Sequence, residues 1–388
     1  VRTSLELHVG AANALTARWC AEVGQSDFVV SGAGVWPLSA LLASAAEGPA
    51  RDELASAIGV PAATGQDGAL RLLRDIERAE AVSAALGVWV RNDLPLHRDW
   101  SGRLPAGVLG RLAGQAELDS WAAEHTEGLI DRFPLSVDPE TLLVLATALV
   151  AKTRWRVPFD AGMLTPNEGP WQGHRGPGLS RTSARLADAA ILDVPQPVTR
   201  VVVEGVDDLD VHLLLGPGTP GAVLGTGLAA LSGAVPIRTG LPVGTNGPGL
   251  TVRTEPVRAA TDQLRIELPP FEVRSTHDLL ARPGLFGLTT ATDCTSGHFP
   301  AISPVPLCVG QGAQEVLARF SHEGFEAAAV TAFGLRAASG ALQNHQATVI
   351  SVTFDRPFGF LAVHRPTGLA VVAGWIATPP TSSPTGSV

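Results

Sequence analysis

The chain has 388 residues, room for one large domain or two ordinary ones, and with 45% hydrophobic against 17% charged residues it can bury a sizeable core, which excludes a disordered chain. Its formal net charge of −9 gives no reason to expect nucleic acid or an anionic membrane as a partner. No run approaches the roughly 20 apolar residues of a membrane-spanning helix. The N-terminal segment lacks the apolar core and cleavage pattern of a signal peptide. The expected location is therefore cytoplasmic by default, or extracellular if the N-terminus is processed. Lys152 is the only lysine, and the wealth of Ala, Gly and Pro beside arginine reads as codon bias of a GC-rich genome rather than as a binding surface.

In chain order, Leu5 to Val23 reads as an amphipathic helix. After the apolar run at 28–31, Pro37 sits where a first helical turn tolerates it, and the helix runs on toward Gly48. A short helix over 51–58 closes on Gly59. Alternating charges over 69–80 read as a solvated helix face. Residues 81–90 form a buried strand, 118–133 a helix and 141–155 a long apolar strand. Gly, Pro and Arg accumulate over 161–190, which is loop chemistry. Strands follow at 198–205 and 210–216, with a helix between Gly227 and Gly233. Beyond a glycine-rich loop at 240–249 come strands at 250–257, 264–273, 347–354, 358–364 and 369–377. The last two are joined by Arg365-Pro366-Thr367-Gly368, a hairpin turn signal. Helices early and mostly antiparallel strands late indicate an α+β fold.

The chemistry-bearing residues form no familiar constellation. There is no HExxH, CxxC or GxSxG motif, and Lys152 does not follow a phosphate-binding glycine loop. The GTGLAA stretch at 225–230 matches a dinucleotide fingerprint loosely, without a clear βαβ unit around it. His212 reads as a structural histidine. Asp207, Asp208 and Asp210 read as a turn rather than a metal site, because a calcium loop needs six or more oxygens. Cys20, Cys294 and Cys308 are odd in number and widely spaced, neither a disulfide framework nor a zinc site. A Cys294–Cys308 bridge is open, with reduced thiols the expected state. No cofactor, metal or catalytic activity is expected.

The segment Phe354 to Ile376 resembles the C-terminal signature of the serpins, through Phe354, Arg356-Pro357-Phe358, Phe360, Pro366-Thr367-Gly368 and Gly374. Three further segments resemble the family in order and spacing. They are a helix with Trp121, Thr126 and Ile130, a central strand with Lys152, Trp155, Pro158 and Phe159, and the stretch from Ser321 to Ala332, similar to a reactive-loop hinge. The chain is thereby identified as resembling a bacterial member of the serpin superfamily. The resemblance implies one α+β domain over 1–378 with three β-sheets and eight to nine helices, a reactive loop over about 324–349, and a tail at 379–388. It implies a monomer whose partner is a serine or cysteine protease. It also implies a metastable native state. The protease nucleophile attacks the loop and forms an acyl-enzyme, the cut loop enters the largest sheet as a strand, and the displaced protease stalls.

Insertion makes demands on the hinge, Gly324, Phe325, Glu326, Ala327, Ala328, Ala329, Val330 and Thr331. Alternation sends Phe325, Ala327, Ala329 and Thr331 to one face and Glu326, Ala328 and Val330 to the other, so the charge falls opposite the apolar set. Phe325 departs from the small hydroxyl residue that the resemblance implies there. Overpacking at this point costs roughly 1–3 kcal/mol and would slow insertion. Two functions follow: an inhibitor of an elastase- or subtilisin-like serine protease, or a non-inhibitory serpin acting as a binding or chaperone-like protein. Ala338 lies 14 positions after Gly324, where the resemblance places the scissile residue, with Ser339 following. Arg336, followed by Ala337, is the alternative and would suit a trypsin-like enzyme. The polar positions governing sheet opening map onto Ser31, Gly34, Thr147 and Gln314, and Trp155 onto the tryptophan at the top of the sheet. His322 stands where the resemblance implies an acid, so that acid's ion pair is expected to be absent.

Overall fold

The computed structural model describes residues 4–257, 260–325 and 345–379. The chain opens with α1 (Ser4–Glu22), the short strand β1 (Phe28–Val30), α2 (Gly32–Ala45), α3 (Gly48–Ile58) and α4 (Gly65–Ile76). The Ser31 hydroxyl accepts from the Gly34 N–H and caps α2, so Pro37 lies in the second turn rather than the first. Burial of Trp36, Ala40 and Leu41 around it holds the helix together at that point. α3 starts before the expected Arg51 because Pro49 occupies its first turn, and it ends on Gly59 at φ 70° as expected. α4 is not only a solvated face: Leu70, Leu72, Leu73 and Ile76 are buried.

Next come β2 (Val82–Val90), one-turn α5 (Arg98–Ser101), β3 (Leu109–Arg111), α6 (Gln115–His125), β4 (Leu143–Ala151) and β5 (Thr153–Arg154). α6 stops well before residue 133. The Thr126 hydroxyl donates back to the Ala122 carbonyl at 2.6 Å, and Glu127 and Gly128 take φ of 53° and 79°, which turns the chain away. The apolar strand of 141–155 breaks at Lys152. The stretch 161–190 is not one loop. It carries most of β6 (Asp160–Leu164), then β7 (Gly176–Ser183), paired antiparallel with it. A Cβ on Gly178 would sit 2.5 Å from the Leu164 nitrogen, so this glycine marks close approach of two strands rather than a turn.

Then follow β8 (Ala189–Leu192), β9 (Val198–Glu204), β10 (Leu209–Leu215), α7 (Pro220–Leu231), β11 (Ile237–Arg238), β12 (Asn246–Gly247) and β13 (Leu250–Val257). α7 begins ahead of Gly227 because Thr219 caps it. The strand expected over 264–273 is cut by Pro269 and Pro270 into β14 (Gln263–Leu268) and β15 (Phe271–Asp278), which belong to different sheets. One-turn α8 (Pro283–Phe286), β16 (Ala313–Phe320), β17 (Gly324–Phe325), β18 (His345–Thr353), β19 (Phe358–His364) and β20 (Leu369–Ile376) complete an α+β fold.

A seven-stranded sheet has the order β1-β20-β19-β10-β9-β8-β11, and a six-stranded sheet the order β12-β13-β18-β14-β7-β6. The remaining strands form two half-sheets, β3-β2-β4 and β15-β16-β17-β5. An aromatic stack of Phe271, Phe320, Phe354, Phe358 and Phe360 joins the second half-sheet to the seven-stranded sheet. No described helix is long and apolar enough to cross a membrane.

Cys294 and Cys308 are disulfide-bonded, against the expectation of reduced thiols. His298 N–H donates to Leu307 O and Val309 N–H to Ala291 O, which run the two flanks side by side. Cys20 is a free thiol, buried, and burial pushes its pKa up to about 12.

Candidate functional site

β16 and β5, the short continuation of β4, run in the same direction, since β17 pairs antiparallel with both, but among the described residues β4 and β16 share no ladder. Between them lies a slot. β17 closes its head, pairing antiparallel with β16 (Phe325 opposite Phe320) and with β5 (Gly324 opposite Arg154, Phe325 opposite Thr153). A Cβ on Gly324 would sit 2.3 Å from the Thr153 carbonyl oxygen, so only glycine lets the chain enter here. Phe325 is 2% exposed and faces Phe360 at 6.3 Å.

The turn that delivers β17 is held by side chains. Ser321 Oγ accepts from the Glu323 and Gly324 amides, while Ser321 N–H donates to Gly324 O at 2.9 Å. Trp155 straps this turn twice, its backbone N–H donating to Glu323 O at 2.8 Å and its indole N–H to Ser321 O at 2.9 Å. Its ring lies 4.6 Å from that of Phe320, and the backbone of Trp155 bridges to Gly205. Phe159 N–H donates to His322 O. Arg181 lies over the Phe159 ring at 4.5 Å, and burial pulls its pKa down to about 10. His322 sits 3.4 Å from Glu323, a neighbour-to-neighbour contact in place of the expected missing pair.

Midway down the slot, the polar residues expected to govern opening come together over the N-terminus of α2. Gln314 grips Ser31 through two bonds: its Oε1 accepts from Ser31 N–H at 2.9 Å and its Nε2 donates to Ser31 O at 2.8 Å. The Ser31 hydroxyl donates to Val371 O at 2.7 Å. From the opposite wall, Thr147 Oγ donates to Gly34 O at 2.6 Å. Each wall is thus tied to α2, and neither is tied to the other at this level. Gly34 is small because a Cβ there would lie 3.1 Å from Gln314 Nε2. A cavity of about 110 Å³ is lined by Ser31, Gly34, Thr147, Gln314 and Phe325, and a second of about 460 Å³ opens at the foot of the slot.

The structure therefore gathers Ser31, Gly34, Thr147 and Gln314, and sets Gly324, Phe325 and Trp155 at the head. The remaining hinge residues Glu326, Ala327, Ala328, Ala329, Val330 and Thr331 lie outside the described residues. So do Arg336, Ala337, Ala338 and Ser339 at the two candidate bonds. Reading the sequence missed the turn-holding role of Ser321, whose signal is a serine two and three residues ahead of the amides it caps. Asp207 and Asp208 lie in the bend between β9 and β10, as the turn reading implies, whereas Asp210 lies within β10; the Asp208 carboxylate reaches across the fold, accepting from the Glu80 and Ala81 amides and facing His364. GTGLAA lies within α7. Among the described residues no cluster could hold a metal ion.

No curated sequence matches the chain. Among solved structures it is similar to human thyroxine-binding globulin complexed with thyroxine, at 14% identity and a TM-score of 0.69 over 97% of this chain and 100% of that one. It is similar to native protease nexin-1 with heparin, at 16% identity and a TM-score of 0.68 over 97% and 100%. It is also similar to the thermophilic serpin tengpin in its native state, at 14% identity and a TM-score of 0.70 over 96% and 94%. At these identities the likeness concerns the fold. The sequence pattern of the family described as serpin (serine protease inhibitor) matches residues 11–168 and 251–379, so the chain belongs to the serpin family.

Proposed function

We propose that the protein inhibits a serine protease by offering its loop as a substrate and then drawing the cut strand into the slot between β4 and β16. The observation that carries this reading is the seat of Phe325. The bulky residue at the hinge is not an obstacle, because it is already buried at the slot's head and paired on both sides. Continued in the register of β17, insertion brings Thr331 opposite both Gln314 and Thr147. Its hydroxyl can then bond where the two walls are now tied only to α2. Ala327 and Ala329 follow Phe325 on the same face, and small side chains enter a formed sheet with little conflict.

Cleavage at Ala338 fits an elastase- or subtilisin-like enzyme with a small or apolar pocket. Cleavage at Arg336 fits a trypsin-like one. Capture needs no metal or cofactor: the protease supplies the nucleophile, and displacement of its catalytic groups by about 1 Å costs on the order of 100-fold in deacylation. The protein acts as a monomer. The Cys294–Cys308 bond favours an oxidising compartment over the cytoplasmic default.

A second reading, a non-inhibitory binding serpin, draws on the same seat. With the head of the slot filled before cleavage, less insertion energy remains to drive capture. Incubation with elastase, subtilisin and trypsin separates the two. The inhibitor gives an SDS-resistant covalent complex with at least one of them. Cleavage within 336–339 without any complex refutes inhibition.

A further inference from the structure

The foot of the slot carries a bridge that sheet opening has to break. Gln311, two residues ahead of β16, grips Ser136 in the segment that leads to β4. Its Oε1 accepts from Ser136 N–H at 3.2 Å and its Nε2 donates to Ser136 O at 2.9 Å. This clasp joins the two half-sheets directly. A second tie, Arg274 to Asp131, is a single long contact of 3.8 Å and weak, whereas the clasp, exposed as well, holds by two bonds.

Cys308 stands three residues before Gln311, and its bond to Cys294 closes a loop with a sequence separation of 14. That loop is bolted to the rest of the slot. Ala301 N–H donates to Ala45 O at the end of α2, and Glu47 N–H donates to His298 O. His97 N–H donates to Ile302 O, and Ser303 Oγ to Pro95 O, in the segment after β2. The loop therefore touches the slot's floor helix and the β2–β4 side, and leads directly into β16. Phe299, Ile302 and Leu307 anchor the middle of the loop in the core, but around the disulfide itself a cavity of about 460 Å³ is lined by both cysteines, Gln311 and the first residues of β4, so the bond rather than packing ties the loop's ends to the segment carrying Gln311. Cys294 is exposed and Cys308 half-buried, so a reductant can reach the bond.

We propose that the Cys294–Cys308 disulfide and the Gln311–Ser136 clasp form a latch at the foot of the slot, and that reduction by a small dithiol releases it and eases separation of the half-sheets. A dithiol thiolate attacks Cys294 Sγ, and the Cys308 thiolate leaves and takes a proton. The second thiol of the reductant resolves the mixed disulfide. The protein gains two thiols, and the dithiol closes to its own disulfide, a transfer of two electrons and two protons. Freeing 294–308 then lets the segment carrying Gln311 drift from Ser136. The inference rests on the slot being the place where a strand enters.

Amide hydrogen exchange of the full chain, without protease, tests it. With a small dithiol, exchange over 143–151 and 313–320 rises at least about fivefold while 358–364 and 369–376 stay unchanged. Alkylation then counts two new thiols, since Cys20 is buried. Gln311→Ala, with the disulfide intact, gives the same local pattern at smaller amplitude. Unchanged exchange on reduction, an equal rise in 358–376, or wild-type protection in Gln311→Ala overturns the latch. Because no protease is present, failure of the latch and failure of inhibition are read separately.

Discussion

Phe325→Ala is the substitution that separates a seat from an obstacle. The ring is 2% exposed, 6.3 Å from the Phe360 ring, and its backbone pairs with Phe320 and Thr153. Truncating a buried phenylalanine costs about 3 kcal/mol at the low end of the usual range. The loss appears only up to the free energy with which β17 is docked, because beyond that the hinge simply leaves the slot. At about 1.4 kcal/mol per tenfold, the ratio of seated to unseated hinge falls roughly 100-fold. A cut loop then starts insertion from outside the sheet, deacylation overtakes it, and the protein becomes a substrate. The assay is the stoichiometry of inhibition against a trapped protease, with complex and cleaved product resolved on an SDS gel. The expectation is a several-fold rise in moles of inhibitor consumed per mole of protease. Phe325→Thr is expected to act in the same direction, since it also removes the ring. Equal or better trapping by either variant would refute the reasoning and return Phe325 to the role of a steric block.

Three further outcomes are expected. Trp155→Phe removes the indole bond to Ser321 O, worth about 1 kcal/mol, and should accelerate exchange of the 321–325 amides without unfolding the chain; unchanged exchange would mean that the strap is idle. Burial, with Arg200 beside it, pushes His212 from 6.5 down to about 4. Between those values the unfolded chain holds more protons than the folded one. Stability therefore rises with pH across that window and is lost as pH falls through it, by about 3 kcal/mol in all; denaturant titration of wild type against His212→Asn should show the window flatten. Ala338→Arg should shift preference toward a trypsin-like protease by at least about tenfold, because an acidic pocket pairs with arginine; no shift would move the reactive bond elsewhere.

How far the sequence discloses each segment depends on that segment's chemistry. Strands buried on both faces, such as 358–364 and 369–376, are continuous apolar runs and were legible. The proximity of Ser31, Gly34, Thr147 and Gln314, far apart in the chain, was legible too, through the resemblance that aligned them. The 161–190 region was misread because its glycines permit close strand approach in β6 and β7, and glycine reads the same in a strand as in a loop. Pro37 was misplaced because the cap that starts α2 is a serine lying in the apolar run before it. The sequence leaves the Cys294–Cys308 bridge and reduced thiols as alternatives, because two cysteines in an irregular loop say nothing of proximity until Ala291–Val309 and His298–Leu307 pair their flanks. The fit of Phe325 depends on the shape of a pocket built from Phe320, Phe360 and β5, which a residue type alone cannot reveal.

In the inhibitory mechanism the cut loop becomes a strand between β4 and β16. The most direct test of that step is the thermal midpoint of the protein before and after a single cut within 336–339, with the fragments kept together. More than about ten new ladder bonds on the two edges at about 1 kcal/mol each, with each kcal/mol worth about 1 °C in a domain of this size, predict a rise of more than about 10 °C. A cut protein that melts at or below the intact midpoint would contradict insertion, and with it the inhibitory mechanism.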